Sequence, residues 1–225
     1  MNPVLSCKEI SCHRENWNET GQSASIEQVS ASFDAGMVCE FDGPDAPGRG
    51  LLLSVLGLLE SADSGVVRVA GQGVTDLADE DLQRLRARTF GFLFPNPCLL
   101  PSFSLAENVA MPLFRICGLD TEAARERTME ALDFCGIAHR ENQLAGSLAT
   151  STQQRAAFAR ALVHRPRILI ALSPRGGEQL FELATRTARE LGLCVLWAEE
   201  NDHAGARAQR LLQIRDGRIA SDEFL

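Results

Sequence analysis

No run of apolar residues in this 225-residue chain reaches the ~18 that a bilayer-spanning helix needs, so no segment reads as a transmembrane helix. The opening MNPVLSCKEISCHREN lacks an apolar core and mixes charges early, so it does not read as a secretory signal. No C-x-x-C pair occurs among the seven cysteines (Cys7, Cys12, Cys39, Cys98, Cys117, Cys135, Cys194), an odd and widely spaced set. Free thiols in a reducing cytosol fit best, most of them as small buried hydrophobes. His13, His139, His164 and His203 show no metal-ligand spacing, so no metal site is expected. Basic blocks are missing too. With 22 Lys and Arg against 30 Asp and Glu, the formal net charge of −8 gives no footprint for a nucleic-acid backbone, and no nucleic-acid partner is expected.

What is present is the composition of an ordinary globular chain, 45% apolar and 23% charged, long enough for one well-buried domain. The first residues read as strand, turn and strand. SIEQVSASFDAGMVCEFDG then alternates as two strands about a turn at Asp34–Gly36. Arg49–Glu60 is a helix apolar on nearly every side, hence buried. Residues 64–74 form a short hairpin, and GFLFP (91–95) is a buried strand. Leu105–Leu113, Asp120–Phe134 and Ala156–His164 read as helices, with Asp120 as an N-cap. RILIALS (167–173) and LCVLWA (193–198) are strands flanking a helix that Gly192 ends. Strands alternating with helices imply a parallel sheet, here with a helical insertion in the middle.

The stretch GPDAPGRGLLLSVLG (43–57) lies between a strand and the apolar helix, with Gly43 and Gly48 spaced as in the phosphate loop G-x-x-x-x-G-K-[ST]. Arg49 stands where that loop has its phosphate lysine, and Gly50 where it has the magnesium-binding hydroxyl. Pro47 withdraws one N–H from an anion nest, and Asp45 sets a negative charge where phosphates lie. Taken alone, the two glycines also suit an ordinary strand-to-helix turn.

Together with GFLFPNPCLLPSFSLAENVAMPLF (91–114), QQRAAFARALVHRP (153–166) and LLQIRDGRIA (211–220), in that order and spacing, the loop gives the chain a family. It resembles the nucleotide-binding subunit of an ABC transporter, closest to the lipoprotein-release, macrolide-export and cell-division branch. The resemblance implies a P-loop NTPase fold of the α/β class: a parallel-sheet core, an antiparallel β-subdomain and an inserted α-helical subdomain. One domain would cover 1–225, with the core at 1–94 and 153–225 and the helical subdomain at about 95–152.

Its departures from the family bear on function. Where the family senses the γ-phosphate with a glutamine, the chain has Pro95. Where the signature reads L-S-G-G-Q, it has Leu148, Ala149, Thr150, Ser151 and Thr152. Leu172 and Ser173 replace the magnesium-binding carboxylate and the catalytic base, and Glu200 replaces the switch histidine. About six loop residues are missing after Pro174. The adenine-stacking aromatic aligns near Arg14, and the chain has no tyrosine. Glu199, Glu200 and Asp202 read as a solvated acidic run rather than a new catalytic site. Trp17 and Trp197 are candidates to stack on a base, Trp197 more naturally a core residue of its strand, and His203 has no evident partner.

The resemblance implies a catalytically degenerate subunit, a scaffold or regulator on a transmembrane ABC permease. It would be cytoplasmic, on the inner face of the cell membrane, and paired with itself or with another ABC ATPase subunit. No cofactor is expected to be required, and ATP with Mg would bind weakly. A weakly active ATPase working through Arg49 and a soluble interaction module are the alternatives, separated by nucleotide binding and by co-purification with a membrane protein. The expected docking surface is an apolar cluster of Cys98, Leu99, Leu100 and Phe103, with Glu107 and Asn108 as polar partners. Pro97 and Pro101 keep this segment extended.

Overall fold

The computed structural model describes residues 3–17, 21–172, 174, 177–198 and 208–225. Strands β1 (Leu5–Arg14), β2 (Ala24–Phe33), β4 (Ser64–Val69) and β5 (Gln72–Gly73) form an antiparallel sheet in the order β2-β1-β4-β5. A second sheet has the order β10-β9-β3-β8-β7-β6, built from β3 (Val38–Asp42), β6 (Phe90–Leu93), β7 (Ile168–Leu172), β8 (Cys194–Ala198), β9 (Arg210–Arg215) and β10 (Arg218–Phe224). Its pairings are parallel from β9 through β6, and β10 alone joins antiparallel.

The run ILIAL is buried along both faces because the parallel sheet is covered on both sides. Its alternating residues sort into two cores. Ile168 and Ile170, with Cys194 and Leu196, face α1 (Ala46–Leu56) and the antiparallel sheet. Leu169 and Ala171, with Val195 and Trp197, face α3 (Leu105–Pro112), α4 (Thr121–Phe134), α5 (Thr150–Leu162) and α6 (Gly177–Leu191). Trp197 is fully buried edge-on to Phe181 at 5.2 Å, a core residue with no access to a base.

Several expectations are corrected. The start holds one strand, β1, whose partner β2 lies across the 15–23 connection. The two strands expected about the Asp34–Gly36 turn are present as β2 and β3, and they belong to different sheets. Helix α2 (Asp79–Thr89) escapes the sequence reading because it has little apolar periodicity; its acidic first turn and basic last turn match the helix dipole instead. Helix α5 begins six residues before Ala156 and ends at Leu162, so the boundary expected at 152/153 divides a helix. Five of the seven cysteines are buried, and burial raises Cys7 to about 11 and Cys135 and Cys194 to about 12, so these stay thiols.

His164 follows α5 and makes a 3.0 Å hydrogen bond from Nε2 to the Phe90 carbonyl. A carbonyl acceptor requires a proton on Nε2. Burial lowers its pKa below the ordinary 6.5. Below pH 6.5 the unfolded chain therefore binds more protons at this site than the folded one, so stability falls as pH drops and is complete above that value. Urea midpoints measured at acidic and neutral pH should differ more for the wild type than for His164→Gln; equal differences would show that this histidine is not titrating on unfolding.

Candidate functional site

The candidate loop and Pro95 follow the carboxyl ends of the parallel strands β3 and β6, and Leu172 is the last residue of the parallel strand β7. That edge is where open α/β sheets hold ligands. The crossover order of the chain thus gathers residues far apart in sequence.

Gly43 adopts φ +108, and a Cβ there would run into the Ile214 carbonyl on β9. A glycine is needed for this close approach whether or not a phosphate binds. The residues between Gly43 and Arg49 do not remain an open cradle. Helix α1 already begins at Ala46, with Pro47 in its first turn and Asp45 as N-cap. Asp45 Oδ1 accepts the Gly48 N–H at 2.9 Å, and its backbone carbonyl accepts the Arg49 N–H at 3.0 Å. Pro47 has no N–H to offer. Asp45 thus holds the Gly48 and Arg49 N–H groups of the helix start.

Arg49 is only 5% exposed, and its Nη1 lies 3.4 Å from Asp42 Oδ1. Asp42, at the last position of β3, was not foreseen as part of the site. Its sequence signal is a charge at a strand end directly before Gly43. Gly50 leaves room for the Trp17 indole, whose Nε1 lies 3.6 Å from where a Cβ on residue 50 would stand. Arg14, at the adenine-stacking position, is tied to Glu60 at 3.0 Å and Asp63 at 2.8 Å.

Leu172 pairs with Ala198 across β7 and β8, and its side chain packs on the α1-facing core. Ser173, Glu199, Glu200, Asp202 and His203 lie outside the described residues. Helix α6 begins at Gly177, three residues after Pro174. Among the described residues, no group of three or more His, Cys, Asp and Glu is placed to hold a metal ion. The Pro95 carbonyl accepts from Gln154 Nε2 at 2.9 Å, a bond absent from the sequence reading.

Leu148 precedes the N-cap Ala149, which makes no side-chain cap bond, and Thr150, Ser151 and Thr152 form the first turn of α5. Gln153 Nε2 donates to the Ala145 and Leu148 carbonyls at 3.0 and 2.9 Å. The signature positions are thus an ordinary helix start. They sit on the helical side of the sheet, away from α1.

The docking cluster is redrawn by the structure. Asn108 is fully buried. Its Oδ1 accepts the Leu100 N–H at 2.7 Å, and Nδ2 donates to the carbonyls of Leu100, Phe103 and Ser104. It is an internal strut and offers nothing to a partner. Leu99 packs on the core. Glu107 closes a capping box with Ser104, and the Ser104 backbone N–H holds its carboxyl below the usual range. Leu100 is exposed but lies outside the groove of about 570 Å³ between α3 and α4. Phe103, Glu107, Met111 and Phe114 line that groove. Met111 and Phe114 were missed, although 107, 111 and 114 have the spacing of one helix face.

Comparison with known proteins follows this geometry. A family model described as "ABC transporter" matches residues 26–174. The chain is 36% identical over 203 residues to the lipoprotein-releasing system ATP-binding protein LolD of Bordetella pertussis, covering 88% of this chain and 87% of that one. It is 33% identical over 223 residues to LolD 2 of Caulobacter vibrioides, covering 96% of each. The macrolide export ATP-binding/permease protein MacB of Burkholderia thailandensis is 33% identical over 205 residues, 88% of this chain but 31% of MacB. A dimeric ATP-binding cassette in a post-hydrolysis state bound to ADP and Pi superposes with a TM-score of 0.82 at 24% identity, covering 98% of both chains. The cassette cbiO1 of Clostridium perfringens superposes at 0.85 with 21% identity, covering 99% of this chain and 88% of that one. The superpositions match the fold, and with the family model spanning more than half of the chain and relatives of 33–36% identity matched over most of their length, the chain belongs to the ABC transporter family as an ATP-binding-type domain.

Proposed function

We propose that the protein is a non-hydrolysing ATP-binding-type subunit of an ABC transporter, a cytoplasmic scaffold or regulator seated on a transmembrane permease. One observation carries this reading: the loop's only cation, Arg49, is buried against Asp42 instead of standing free for a phosphate. Triphosphate hydrolysis rests on positioning and charge stabilisation by a metal, a cation and a water-orienting group. Loss of a single such contributor costs ~10²–10⁴ in rate. Leu172, partly buried and packed against the core at the metal-ligand position, supports the same reading. ATP with magnesium would bind weakly at best.

The seat for the permease is the groove between α3 and α4, where Phe103 and Phe114 are 40% and 51% exposed. MacB, an ATP-binding/permease protein, joins the two functions in one chain. No helix among the described residues is long and apolar enough to cross a membrane. The domain would pair with itself, as the dimeric cassette bound to ADP and Pi does, or with another ABC subunit. Because each nucleotide in such a pair lies between one loop and the partner's signature, this chain would weaken both sites of a heterodimer.

A weakly active ATPase is the second reading, favoured by the ATP-binding names of the relatives. Magnesium-dependent ATP turnover by the purified protein separates the two. We expect none above a mock preparation; turnover that Arg49→Ala abolishes would establish the ATPase instead.

A further inference from the structure

We propose that the 43–50 loop is held shut by an internal anion: Asp45 takes up the Gly48 amide that a phosphate would need and clasps helix α1 to the β9–β10 turn. The inference deepens the reading of the loop as a non-hydrolysing one and rests on it. The two carboxylate oxygens divide their work. Oδ1 takes the Gly48 N–H at 2.9 Å, in the first turn of α1, and Oδ2 takes the Gly217 N–H at 2.8 Å, in the turn between β9 and β10. A Cβ on Gly48 would run into this carboxylate, so the group lies directly against the Gly48 backbone. A helix N-terminus attracts an anion through free N–H groups and its dipole. Here the anion is covalently part of the chain and cannot leave.

The neighbouring positions are filled from within as well. Arg49 answers Asp42, and the Trp17 indole lies over Gly50. The Gly217 turn is itself anchored, since its carbonyl accepts the Glu27 N–H at 2.9 Å. The clasp therefore ties the loop after the first core strand to the last hairpin and, through it, to the antiparallel sheet. A protein built this way holds its loop ordered without nucleotide, and its conformation does not follow a nucleotide cycle.

The test compares wild type with Asp45→Asn and Asp45→Ala, using inorganic tripolyphosphate as the probe. Asp45→Asn keeps a capping oxygen on Gly48 without the charge, so helix α1 retains its start if the alanine variant does not fold. Amide hydrogen exchange at Gly217 should speed up in both variants, because neither keeps the carboxylate acceptor. Calorimetry should show no saturable tripolyphosphate binding to wild type and binding at least roughly tenfold tighter in a variant, the size of one charge-assisted hydrogen bond regained. Unchanged Gly217 exchange, or equal affinity in wild type and variants, overturns the clasp. ATP hydrolysis by the wild type would overturn the functional reading instead, whereas an inactive wild type with variants that gain no affinity overturns the clasp alone.

Discussion

Replacing Phe103 and Phe114 together by aspartate is expected to lower affinity for the proposed permease partner by about 10³-fold, because two aromatic anchors buried on docking would contribute about 2 kcal/mol each. Both rings line the same groove between α3 and α4, and each exposes a large face in the free subunit. An amphipathic helix laid into such a groove reads it through a few apolar anchors, with polar neighbours setting register. Phe103 stands just before α3 and Phe114 just after it, in the π-helical turn that Pro112 begins. They therefore bracket the groove along its length. Two charges placed on these open surfaces should cost little folding stability, within about 0.5 kcal/mol each. Leu100→Asp is the control: Leu100 is 43% exposed yet lies outside the groove, so that change should leave binding intact. Sedimentation with inside-out membrane vesicles measures all three proteins. Wild-type retention of the double variant would remove this groove from the interface, and release by Leu100→Asp would move the interface to the preceding segment.

Asn108→Ala has the opposite profile, a folding defect with no part in recognition. The side chain closes four hydrogen bonds with Leu100, Phe103 and Ser104, fixing the turn that leads into α3. Alanine would leave the Leu100 N–H without its partner beside a fully buried position, at about 1–3 kcal/mol, and would open a gap there, while the carbonyls of Leu100, Phe103 and Ser104 keep their backbone donors. We expect a loss of about 3 kcal/mol overall, or roughly 6–12 °C in Tm for a chain of this size. The exposed capping residue offers a scale: Ser104→Ala should cost about 1 kcal/mol, since it removes one cap. Equal melting of Asn108→Ala and wild type, with loss of membrane binding, would return Asn108 to the docking surface.

These two outcomes mark the limit between chain and fold. Alternation, apolar runs and punctuation by glycine and proline determined the core. ILIAL and CVLWA could only be strands covered on both faces, and the apolar stretch after Gly48 could only be a buried helix. The order of motifs determined the family. These readings succeed because each rests on a periodicity or spacing carried by neighbouring residues. Helix α2 was invisible for the same reason, since its order comes from charge placement and packing and not from an apolar stripe.

The site depended on contacts that no local pattern encodes. Asn108 and Leu100 are eight residues apart, near enough to suggest one surface, yet the turn between them folds the amide inward. Asp45 looks like a repulsive charge in a phosphate loop until β9 and β10, 172 residues away, bring the Gly217 N–H onto it. Arg49 is a phosphate cation by position and an internal ion-pair partner by geometry. Sequence spacing states which groups are available, and the hydrogen bonds and charges they close in three dimensions decide which remain free to bind anything else.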